Sequence, residues 1–257
     1  MATPDLLMRC SSLGKIMTDP AAAAAKAGEV LSVGAKTHIR SLASQFIFGV
    51  EFEVSSKQME KGIKLEDAAI AMVGRVRGLE LSKNKERRSN GYLTGEADVF
   101  HQPTRAGRDT KVPWSVATFP ITVEDCIDKD YLWQMRGYMM LWDAERWHVD
   151  YVLLDTPEEL IGYEPQSMHF VSHIPEHLRV TTWTVERDRA LEPVITERVR
   201  AAREYMRQVI AEFDRTHQAS GVLPAAAEPP PWEDAKPAAP QPTTKPAQAP
   251  AFALPDF

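Results

Sequence analysis

Residues 92–111 constrain the fold more than any other stretch. Tyr92-Leu93-Thr94-Gly95-Glu96-Ala97-Asp98-Val99-Phe100 reads as a strand, and Asp109-Thr110-Lys111 belongs to the next one. The link from His101 to Arg108 carries Pro103 and Gly107 and reads as a hairpin loop. Side chains alternate faces along a strand, so Asp109 and Lys111 point the same way. Closing the hairpin sets Asp98 beside Asp109. Two carboxylates and an ammonium on neighbouring strands suit metal-assisted phosphodiester cleavage. Charged residues make up 26% of the chain, so a solvated hairpin with ordinary charges is the competing reading, and the flanking segments decide between them.

Upstream, Ser55-Ser56 can cap a helix running from about Lys57 to Arg77. Its apolar stripe is Met59, Ile63, Ile70 and Val73, and Glu66 falls on that stripe. A carboxylate facing a core is costly unless paired. A metal or Lys111 would pair it; otherwise Glu66 lies at the stripe's edge and reaches water. Asp67, about 100° around the helix, faces solvent. Downstream, Asp130 to Leu141 is a strongly apolar helix with Tyr131, Gln134, Tyr138 and Leu141 on one face. Gln134 is an amide among buried aromatics and needs partners there. A catalytic lysine, a metal-bound water, a phosphate or a backbone carbonyl would each serve.

These segments occur in a telling order: Arg9-Cys10-Ser11-Ser12-Leu13-Gly14-Lys15-Ile16-Met17; Ser56-Lys57 through Glu60-Lys61-Gly62 to Glu66-Asp67; Gly95-x-x-Asp98; Asp109-x-Lys111 with Trp114-Ser115; and Tyr131-x-x-Gln134-x-x-x-Tyr138-Met139. The ordered set resembles the YqaJ-type viral recombinases, within the lambda-exonuclease-like branch of the PD-(D/E)xK nucleases, over roughly residues 8–215. Glu96-Ala97 stand where the family more often has a proline before the aspartate, and Asp109 stands where many members use glutamate. Both departures are compatible with metal binding. The resemblance implies an α/β, restriction-endonuclease-like core in which a mixed central β-sheet is flanked by helices. It further implies DNA as substrate, digestion of linear duplex from a 5′ end, a phage recombination role with a single-strand-annealing partner, and a closed homo-oligomer such as a trimer. Arg9, Ser11 and Ser12 would line a 5′-phosphate pocket, for which arginine's planar fork and serine hydroxyls are suited.

The expected mechanism is hydrolysis with one or two Mg²⁺ (or Mn²⁺) ions. Asp98, Asp109 and the carbonyl of Thr110 hold the first ion, since hard cations favour oxygen ligands. Glu66 positions a second ion or the attacking water. Lys111 orients and helps deprotonate that water, or stabilises the pentavalent charge. Gln134 fixes Lys111 or the water. Two alternatives remain: a catalytically silent DNA-binding or assembly protein on the same fold, and a site-specific endonuclease. The complete set Glu66, Asp98, Asp109, Lys111 and Gln134 argues against silence, and the lack of an added recognition domain argues against the endonuclease.

The net charge of −6 looks wrong for a DNA enzyme, but it is unevenly distributed. Arg75, Arg77, Lys83, Lys85, Arg87 and Arg88 form a basic run between the Glu66 helix and the Asp98 strand, where a phosphate backbone would enter, or else a solvated loop. His169, His173 and His177 have the spacing of metal ligands on a helix, but Pro175 argues against a helix there. Neither a Gly-x-Ser-x-Gly elbow nor a Walker-type phosphate loop is present, so ATP hydrolysis is not expected. Two cysteines, Cys10 and Cys126, make neither a disulfide framework nor a zinc site and suit a reducing compartment, the bacterial host cytoplasm. No apolar run is long enough to span a membrane. Residues 1–221 form the expected nuclease domain. In residues 222–257, ten prolines and ten alanines preclude a core, so this tail is expected to be disordered.

Overall fold

The strand expected over residues 92–100 breaks at Ala97-Asp98, and the break divides the β-structure in two. The computed structural model describes residues 5–52 and 55–218; the tail 222–257 and its expected boundary lie outside them. One sheet has three short strands, β1 (Met8–Arg9), β2 (Arg87–Ser89) and β3 (Leu93–Glu96), in the order β1-β3-β2. The other has β4 (Val99–His101), β5 (Ala106–Lys111), β6 (Arg146–Val152) and β7 (Val180–Glu186), in that order. The hairpin β4–β5 and the pair β6–β7 are antiparallel, whereas β5 and β6 are parallel. A parallel pair needs a crossover, and the helix α5 (Lys129–Trp142) lies within it.

The other helices are α1 (Leu13–Ile16), α2 (Ala22–Lys26), α3 (Val33–Phe48), α4 (Lys57–Arg77), α6 (Glu158–Ile161) and α7 (Glu192–Gln218). The helices α4 and α5 match the ranges expected from sequence to within one residue, because their ends are set locally. Ser32, Ser56 and Asp128 accept hydrogen bonds from the first-turn amides of α3, α4 and α5. Gly49 and Gly78 end α3 and α4 with φ near +65°, where a side chain would be strained. Among the described residues, no helix is long and apolar enough to cross a membrane. Cys10 and Cys126 are both free and buried.

The four-stranded sheet has a core on each face. Trp147 and Val149 of β6 join the larger core with residues of α1, α3, α5 and α7. Val152, of opposite parity, joins a smaller core with Ala69, Met72 and Val73 of α4. This arrangement revises the apolar stripe expected on α4. Ile70 and Val73 are buried, but Met59 and Ile63 are 50% and 61% exposed. The side chain buried in the first half of α4 is Lys61. Its ammonium donates to the carbonyls of Pro113 (2.8 Å), Trp114 (3.0 Å) and Leu154 (3.0 Å). The start of α4 therefore meets the carbonyls just beyond β5 and β6, and a polar surface of acceptors calls for a donor rather than a methyl group. Burial pulls the Lys61 pKa down to about 8.

Candidate active site

Strand β5 presents Asp109 and Lys111 on the face shared with Val149 and Tyr151 of β6, which is the face that α5 covers. Asp109 is 1% exposed. Lys111 Nζ lies 2.6 Å from Asp109 Oδ2 and 4.3 Å from the centroid of the Tyr131 ring. Burial disfavours the Lys111 charge, but Asp109, Tyr131 and Asp98 more than offset this and hold its pKa above the ordinary lysine range. Gln134 does not fix Lys111, as one sequence reading had it. Its Nε2 donates to Asp109 Oδ1 (3.3 Å) and to Tyr138 Oη (3.2 Å), and Tyr138 in turn donates to the Glu96 carbonyl (3.0 Å).

Asp98 lies in the break between β3 and β4, next to Val99, which pairs with Arg108, the residue before Asp109. Its Oδ2 accepts from the Thr110 amide (2.7 Å) and the Thr110 hydroxyl (3.0 Å). In an extended strand the N–H and C=O of one residue point to the same side, so the Thr110 carbonyl opens toward the same gap. Burial, and then the Asp109 carboxylate, push the Asp98 pKa up to about 7. Two crowded carboxylates and a strand carbonyl are an all-oxygen set whose repulsion a hard divalent cation relieves, so these residues fit the expected metal.

Glu66 is close by but turned elsewhere. It lies on α4, across the sheet from α5, and its Oε2 accepts from Lys83 Nζ at 2.6 Å. Lys83, not Lys111, is its partner, and the Glu66 side chain keeps 26% of its surface open to water. Asp67, at 3.8 Å from the same ammonium, is largely exposed as expected. Among the described residues, no three His, Cys, Asp or Glu side chains converge tightly enough to cage an ion. Lys83 is brought in by its neighbour. The Asn84 amide donates to the Asp98 carbonyl (2.7 Å), and Asn84 Nδ2 donates to the carbonyls of Ala97 (3.0 Å) and Glu86 (2.8 Å). The segment after α4 is thus clamped onto the strand break. Sequence reasoning placed Lys83 only within a basic run and missed Asn84, whose backbone-mimicking role leaves no pattern.

Of the rest of that basic run Lys85 is exposed, but the four arginines each have partners. Arg75 pairs with Glu176 (2.6 Å), Arg77 donates to Thr182 (2.8 Å), Arg87 faces Glu96 (3.4 Å) and Arg88 forks onto Glu86 (2.9 Å). His169 is buried, bonded to Thr156 (3.0 Å) and Glu164 (3.1 Å), and Trp114 Nε1 also donates to Glu164 (3.0 Å).

Arg9 ends β1, which runs parallel to β3 with Arg9 beside Thr94, and so lies toward the same end of the sheet as Asp98. Cys10–Ser12 form a single 3-10 turn packed against α5. Glycine permits the approach. A Cβ on Gly95 would lie 2.7 Å from Tyr138 Cε1 and 3.1 Å from Cys10 Sγ, and one on Gly137 would lie 2.9 Å from Cys10 Sγ. Arg9 is exposed, 3.6 Å from Glu51; Ser11 is exposed and Ser12 half-buried.

A solved phage-related exonuclease from Haemophilus somnus 129PT matches this chain with a TM-score of 0.76 and 38% identity, over 81% of this chain and 96% of that one. The chain belongs to the lambda-exonuclease-like family of phage exonucleases. An alkaline exonuclease from Laribacter hongkongensis shares this exonuclease fold at a TM-score of 0.60 and 18% identity, over 83% of this chain and 94% of that one. Its complex with dAMP gives 0.57 at the same identity. No family model and no curated protein matches the chain. In this exonuclease the helix-flanked mixed sheet is a restriction-endonuclease-like core.

Proposed function

We propose that this phage-type exonuclease hydrolyses phosphodiester bonds at the ends of linear duplex DNA, from the 5′ end, with Mg²⁺ or Mn²⁺. The observation that carries this reading is the convergence of Asp98, Asp109, Lys111 and Gln134 at one strand break. Asp98, Asp109 and the Thr110 carbonyl would hold the cation, which when bound supplies Lewis-acid chemistry. Glu66, once free of Lys83, would add a further ligand or orient the attacking water. Gln134 fixes the Asp109 carboxylate in its rotamer. Lys111, held beside Asp109, orients the attacking water and helps deprotonate it, or stabilises the charge on the phosphoryl oxygens. The dAMP complex of the Laribacter enzyme supports a mononucleotide product. The family resemblance supports a trimeric ring and a single-strand-annealing partner.

The test is incubation with 5′-phosphorylated linear duplex and with the same duplex circularised, with and without Mg²⁺. Digestion of the linear form alone, abolished by EDTA, is expected. Cleavage of the circle would favour the endonuclease, and unaltered DNA in every arm would favour a silent DNA-binding protein. Arg9→Ala in the same assay should lose most of the preference for 5′-phosphate over 5′-hydroxyl ends. An unchanged preference rejects the phosphate pocket.

A pH effect follows from Asp98. Its folded pKa near 7 exceeds the ordinary carboxylate value of 3.8, so the unfolded chain releases this proton first. The contribution of this group to the stability of the cation-free protein is therefore full at low pH and is lost as pH rises through about 7. Melting in EDTA at pH 5.5 and pH 8 should show this loss in the wild type and not in Asp98→Asn, and Mg²⁺ should restore the wild type at pH 8. Equal pH slopes for the two proteins would refute it.

A further inference from the structure

We infer that Lys83 is a built-in counter-cation of this site, which competes with the divalent cation for Glu66 and so sets the cation concentration at which the site assembles. The inference rests on the metal-dependent reading above. Three carboxylates border the strand break: Asp98 and Asp109 on one side and Glu66 on the other. Lys111 is committed to Asp109 at 2.6 Å. Lys83 is the cation that meets Glu66, also at 2.6 Å, with Asp67 at 3.8 Å from the same nitrogen.

The pair is not needed to hold its own segment in place. Asn84, the next residue, already binds the backbone of Ala97, Asp98 and Glu86 through three hydrogen bonds. The Lys83 and Glu66 side chains keep 35% and 26% of their surface open, so neither is locked in the core. An ion pair this accessible is worth little as structure. Its position is what distinguishes it, for it places an ammonium on a flexible four-carbon stem against a site carboxylate whose charge is felt at Asp98. A divalent cation recruiting Glu66 must displace that ammonium. Removing the ammonium removes both the competitor and a like charge beside the incoming ion.

The test is calorimetric titration of the full-length protein with Mn²⁺ and no DNA, a readout independent of catalysis. Lys83→Met is expected to bind Mn²⁺ about tenfold more tightly than the wild type, from loss of one nearby unit charge. Lys83→Arg, which keeps the charge, and Lys85→Met, which removes an exposed charge two residues away, should both stay near wild type. Adding Glu66→Gln to Lys83→Met should abolish the gain. Equal or weaker Mn²⁺ binding by Lys83→Met overturns the inference, as does an equal gain in Lys85→Met or a gain that survives Glu66→Gln. Absence of Mn²⁺ binding in every protein overturns the metal-dependent reading itself.

Discussion

Replacing Lys111 with alanine is expected to lower the rate of phosphodiester cleavage by about 10²–10³-fold, the usual loss when a preorganised charge donor is removed from a buried reaction site. The ammonium stands 2.6 Å from Asp109 and over the Tyr131 ring, a fixed position that leaves it little freedom to reorganise. Asp109→Ala should be at least as damaging, because Asp109 links the lysine and Gln134 close to Asp98. Glu66→Gln should be severely impaired, whereas Asp67→Asn, at an exposed position, should be nearly normal. Single-turnover digestion of end-labelled duplex, with circular dichroism to verify folding, measures all four. Substantial cleavage by folded Lys111→Ala would sink the assignment of the site.

The second large effect is on stability. Asp150→Ala should destabilise the protein by about 3–5 kcal/mol, because it strands a buried charge. Arg108 is the residue before Asp109 on β5 and faces the α4 side of the sheet. Its Nη1 donates to Asp150 Oδ2 at 2.7 Å, while Thr182 donates to Oδ1 at 2.6 Å. Asp150 is fully buried and the Arg108 side chain nearly so. For a domain of this size the melting temperature should fall on the order of 10 °C. The double variant Arg108→Met/Asp150→Leu, which leaves no unpaired charge, should lose much less. A drop of under about 2 °C for Asp150→Ala would show that water reaches Arg108 freely.

Much of this molecule is encoded in short-range pattern. The serine and aspartate caps, the glycine stops, the period of the helices and the alternation of β5 each depend on neighbours a few residues away. That is why the helix limits, the hairpin and the shared face of Asp109 and Lys111 are all visible in the chain itself. The set Glu66, Asp98, Asp109, Lys111 and Gln134 could be named on the same basis, because a chemical function needs particular residue types in a particular order.

The partners of those residues depended on docking. Periodicity places Glu66 on a helix face but does not say that α4 packs on the side of the sheet away from α5, where Lys83 takes its carboxylate. It places Gln134 among aromatics but does not say that Asp109 is within reach. The stripe through Met59 and Ile63 looks like core until α4 is seen to begin beyond the strand ends, where Lys61 is buried instead. The break at Ala97-Asp98 is likewise absent from local propensity, since Asn84, thirteen residues from Ala97, supplies the hydrogen bonds that replace the strand ladder there. In each case the deciding contact lies far along the chain, and only packing selects it.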